Sequence, residues 1–70
     1  MLEPEDKQQI ITLFEQAWMD TAPHLPPEVS KRDAAIDVML DYAYGRVFND
    51  YRPMTHAERV WLIEQAEQRI

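Results

Sequence analysis

The sequence predicts an all-α domain of three helices, over roughly residues 4–20, 30–50 and 56–70, with the second helix central and residues 1–70 forming one unit. Three observations predict it. Apolar residues recur at alternating spacings of three and four in each block, a period that belongs to helices and excludes strand alternation. Prolines interrupt the two stretches between the blocks. A helix-start signal opens each block, and the short connections make successive helices antiparallel.

The first helix starts at Pro4, because proline suits the first helical position and Glu5 and Asp6 suit the positive end of the helix dipole. Ile10, Leu13, Phe14, Ala17 and Trp18 mark its inner face, with Ile11 beside it and Met19 alone on the far side. It stops near Thr21. The segment TAPHLPPEVS follows, where Pro23, Pro26 and Pro27 push their predecessors out of helical geometry and make a stiff connector. Leu25 and Val29 are placed to tuck under the bundle.

The second helix starts at Ser30, whose hydroxyl is positioned to cap the amides near Asp33, with Pro27 as the alternative start. Asp33 to Tyr51 is the longest helical signal in the chain. Ile36, Leu40, Ala43, Tyr44, Val47 and Tyr51 define its core face, which Met39 and Phe48 widen enough for two neighbouring helices. On the opposite side, Ala35, Val38, Tyr42, Gly45 and Asn49 follow the spacing of a helix–helix seam, the plainer alternative being a half-exposed Val38 and Tyr42 with nothing against them. Gly45 is the only glycine, and a mid-helix glycine, which costs about 1 kcal/mol against alanine, often marks close approach of another backbone.

The second break is RPMT. Thr55 with Glu58 three residues on forms a capping-box signature ahead of the third helix. Val60, Ile63, Ala66 and Ile70 give that helix a core face with Leu62 alongside, leaving Trp61 in a polar sector with Glu64, Gln65 and Gln68.

Composition narrows the function. Thirteen acidic and seven basic residues give a net charge of -6, a sign that repels nucleic-acid phosphates and serves either a basic partner or plain solubility. There is no cysteine, so disulfides and thiolate metal sites are excluded. No run approaches the roughly 20 apolar residues of a membrane span, and the acidic start MLEPEDKQQ does not resemble a secretion signal. The expectation is a cytoplasmic protein with no membrane partner. A chain this short buries only about 60% of its unfolded surface, so two tryptophans are a generous aromatic supply.

No chemistry-bearing pattern stands out. His24 and His56 lie in or beside the two breaks, far from any paired ligand spacing, and no serine or threonine has a glycine-rich elbow or a base beside it. The reading is a non-enzyme with no catalytic residue, metal or cofactor. A helix-turn-helix is disfavoured because the third helix sets Glu58, Glu64 and Glu67 against Arg59 and Arg69. Asp33, Asp37 and Asp41 form an acidic ladder whose plainest role is a solvated face, and which otherwise suits a basic protein. Trp61 either folds back over Pro53 and Met54 or anchors another protein.

The expected function is therefore binding of another protein, as inhibitor, antagonist or adaptor, through Ala35, Val38, Tyr42, Gly45, Asn49 and Trp61 with Asp33, Asp37 and Asp41. A homodimer is one form such binding would take. The alternatives are a DNA mimic that occupies a basic groove and a structural subunit of a larger assembly.

Overall fold

A computed structural model describes residues 2–48 and 53–70 of the chain, and the described residues contain helices and no strand. The first helix, α1, spans Pro4–Thr21 and begins where its proline and acids place it. The Glu3 amide donates to Asp6 Oδ2 at 3.4 Å, and the Lys7 amide to the Glu3 carbonyl at 3.0 Å. The helix runs directly into a 3-10 turn at Ala22–His24, after which the prolines hold the chain out of helical geometry.

Ser30 restarts it. Its Oγ accepts the Asp33 amide at 3.2 Å, which caps α2, Lys31–Asp37. The middle helix then changes its winding: Val38–Ala43 is a π-helical segment, and the Tyr44 amide donates to the carbonyl of Met39, five residues back. Ordinary α geometry resumes in α3, Tyr44–Phe48. The expected continuation to residue 50, with Asn49 and Tyr51, lies outside the described residues. The last helix, α4, spans His56–Gln68, slightly short of the expected 56–70. Its predicted capping box is present, with Thr55 Oγ accepting the Glu58 amide at 3.2 Å and Glu58 Oε1 accepting the Thr55 amide at 3.0 Å.

The three helices run up, down and up. The π segment is in the middle in space as well as in sequence, touching both α1 and α4, while α2 lies on α4 and α3 on α1. Side chains that meet across the bundle fix the directions. Lys7 reaches Trp61 and Glu15 reaches Arg69, so α1 and α4 are parallel; Arg32 reaches Glu67, so the middle helix opposes them. The bundle is 36 Å long and 21 Å across.

The core is one cluster of Leu2, Ile10, Phe14, Trp18, Ala35, Met39, Ala43, Tyr44, Leu62 and Ala66. From α1 it takes the expected stripe, centred on Ile10, Phe14 and Trp18, with Met19 on the far side. The other two helices differ from the sequence reading, each for a physical reason.

In the middle helix the expected core residues Ile36, Leu40 and Val47 are half-buried, whereas Met39 and Ala35 are fully buried. A regular helix that buried Ala35 and Met39 would also carry Tyr42 and Arg46 inward. The π turn takes up one extra residue, so Ala43 and Tyr44 turn inward in their place and Tyr42 and Arg46 swing out. Gly45 is buried where α3 runs beside α1, and a larger side chain there would meet packed atoms.

In α4 the buried stripe is Glu58, Leu62 and Ala66; of the expected face Ala66 is buried with Leu62 beside it, Ile63 is half-buried, and Val60 and Ile70 are 40% and 49% exposed. Glu58 can lie in that stripe because its carboxylate folds back onto the Thr55 amide while the rest of its side chain lies against the interior. Among the described residues no side-chain oxygen or nitrogen is buried without a hydrogen-bond partner, so the core imposes no unmatched polar group.

Candidate interaction face

The middle helix has its inner side against α1 and α4, and what remains is a single outer side. Asp33, Asp37, Asp41, Tyr42 and Arg46 are all exposed there, and Val38 is half-buried between core and solvent. The π turn is what puts the aromatic ring among the acids. Tyr42 stays 42% exposed, and the Arg46 guanidinium lies 5.7 Å from its ring centroid, a cation–π distance. Arg46 therefore holds one face of the ring and leaves the rest to solvent.

The electrostatics of this side are acidic. Arg32 sits at its start, but its Nε is 2.6 Å from Glu67 Oε2, with Nη1 3.7 Å from Asp33 Oδ1. Its charge is thus directed mainly into α4. Asp37 and Asp41 follow with Arg46 as the next cation along the described helix.

The sequence-predicted site residues separate into three groups. Ala35 and Gly45 are inside the bundle, covered by the chain's own helices, so the five-residue seam is not an outer surface; the π turn breaks its register. Asn49 lies outside the described residues. Val38, Tyr42, Asp33, Asp37 and Asp41 share the outer side of the middle helix.

Trp61 belongs elsewhere. It is half-buried at the edge of the α4 stripe, in a shallow groove with Leu2, Lys7, Ala57 and Glu58, and Lys7 Nζ lies 5.1 Å from its ring centroid. Leu2 precedes the start of α1 and Lys7 follows one turn later, the two positions of a hydrophobic staple, so the entry of α1 covers part of the indole. Of the two expected roles the indole is nearer the folded-back one, but it is partly covered by Leu2 and Lys7. Arg46 was not singled out in the sequence, although its position four residues after Tyr42 is the signal for a helical ring–cation pair.

Among the described residues no group of three or more His, Asp or Glu side chains is placed to hold a metal ion, and no helix is long and apolar enough to cross a membrane. Comparison of the chain with protein-family models, with curated proteins and with solved structures gives no match.

Proposed function

We propose that this small acidic protein acts by binding a basic protein on the outer side of the middle helix, without catalysis, as an inhibitor, antagonist or adaptor. The observation that carries the reading is the exposed Tyr42 ring set among Asp33, Asp37 and Asp41. An aromatic side chain that a helix could have buried is instead turned to solvent, where it offers apolar area of the kind that dominates protein interfaces. The surrounding carboxylates attract a partner of opposite charge and orient its approach, while the ring supplies short-range affinity. Ala35, Gly45 and Trp61 take no part in this contact.

The test is capture of partners by the full chain and two variants, Tyr42→Glu and the combined Asp33→Asn, Asp37→Asn, Asp41→Asn. The reading expects one basic protein retained by the parent chain, lost from Tyr42→Glu, and retained by the triple variant at least about tenfold more weakly and with a flatter salt dependence. Equal retention by all three would remove this face from consideration.

A further inference from the structure

The middle helix carries two apolar inner sets, one residue apart. With the π turn in place, Ala35 and Met39 are enclosed ahead of Ala43 and Tyr44. Wound as a regular helix through Val38–Ala43, the same stretch would present Ile36 and Leu40 ahead of Ala43, Tyr44 and Val47, which is also an unbroken apolar stripe. Ile36 and Leu40 are already half-buried against the core cluster. We propose that the helix exchanges between these two registers. In the exchange α3 stays seated on α1, and the extra residue of the π turn passes into α2, which turns by about 100° and slides by about 1.5 Å. Residues 25–30, which are not helical, take up the slide.

Each place in α2 then goes to the next residue along. Ile36 takes the place of Ala35 and Leu40 that of Met39, so apolar burial is kept, and the turn regains the ordinary bond from each amide to the carbonyl four residues back. Charge decides which register dominates. Arg32 Nε is 2.6 Å from Glu67 Oε2 in the π register, whereas in the regular one Asp33 takes that place and faces the same carboxylate. Asp37 moves into the half-buried place of Ile36, and the small place of Ala35 has to admit the larger Ile36. These costs keep the regular register minor, at about 1% of molecules.

The exchange regulates the face described above, a consequence that rests on the basic-partner reading. In the π register Asp33 and Asp37 are exposed on the same side as Tyr42. In the regular register both leave that side, Val38 takes the exposed place of Asp37, and the ring stays outside. A basic partner drawn by those carboxylates therefore holds the helix in the π register.

Amide relaxation dispersion and saturation transfer on the free full chain test the exchange with no partner present. The expected result is a minor state at the amides of residues 31–43, populated to about 1%. Glu67→Lys, which repels Arg32 and attracts Asp33, should raise that population about three- to tenfold, the size expected when exposed ion contacts are reversed. Salt at about 1 M should bring the variant and the parent chain together. Deleting Asp41 removes the extra residue and should abolish the exchange. Flat profiles along α2 in both experiments overturn the proposal. So does a minor population that Glu67→Lys lowers or leaves unchanged, or an exchange that survives the deletion. Exchange in a chain that captures no basic protein would uphold the two registers and remove only their tie to binding.

Discussion

The first helix and the middle helix respond differently to the same rule. In α1 a uniform helical period places Ile10, Phe14 and Trp18 in the core and Met19 outside, and the molecule does the same. In the middle helix that period fails at Val38–Ala43, where one additional residue is wound into the turn. Every side chain after it points to a face different from the one a regular helix would give. The difference shows that patterning fixes which residues are apolar enough to be buried, while the winding of one turn selects which of them are. In this chain that selection buries Ala35 and Met39 ahead of the turn together with Ala43 and Tyr44 after it, and Tyr42 stays outside, where the regular period also places it.

The comparison can be broken first at α1, where the largest effect is expected. Deleting Thr12 would rotate Phe14 and Trp18 away from Ile10, and each buried aromatic lost from a core costs about 3–5 kcal/mol. Set against a total stability of about 5–15 kcal/mol, that deletion should leave no cooperative unfolding transition in a urea titration followed by circular dichroism.

A smaller effect separates the two readings of which face is buried. Met39→Ala should lower stability by about 2–5 kcal/mol, because the side chain is fully enclosed, whereas Val60→Ala should change it by less than about 0.5 kcal/mol. The opposite order would contradict the enclosure of Met39 and restore Val60 to the core face of α4. Next come the caps: Ser30→Ala and Thr55→Ala should each cost about 1 kcal/mol through lost hydrogen bonds at the starts of α2 and α4. After the caps comes the link between α2 and α4. Glu67→Gln removes an exposed ion pair and should cost less than about 1 kcal/mol despite its 2.6 Å separation, with the difference vanishing in high salt.

Most of the architecture was legible in the residues. Ser30 and the Thr55–Glu58 pair announce helix starts by local hydrogen bonding and Pro4 by its fixed backbone angle, neither of which needs knowledge of the rest of the fold. The candidate face was legible in its polar half: Asp33, Asp37 and Asp41 are exposed as their charge requires. Of its apolar half, Val38 and Tyr42 were legible and Ala35 and Gly45 were not. Ala35 and Gly45 are small enough to suit either a seam or an interior, and only the packing of α1 and α4 decides. Trp61 misleads for a related reason. Its sequence neighbours are polar, but the residues that cover it, Leu2 and Lys7, come from the far end of the chain. The π turn leaves no mark in composition, because its residues, Val38 to Ala43, suit an ordinary helix equally well.

The most direct test of the inserted-residue account is to delete Asp41 and measure urea unfolding beside the parent chain. With one residue removed from the π segment, a regular α-helix carries Ala35, Met39, Ala43 and Tyr44 to the same inward positions. The deletion should therefore unfold cooperatively, with stability within about 1 kcal/mol of the parent. A loss of more than about 3 kcal/mol, comparable with losing a large core side chain, would contradict the account and show that the π turn itself holds the bundle together.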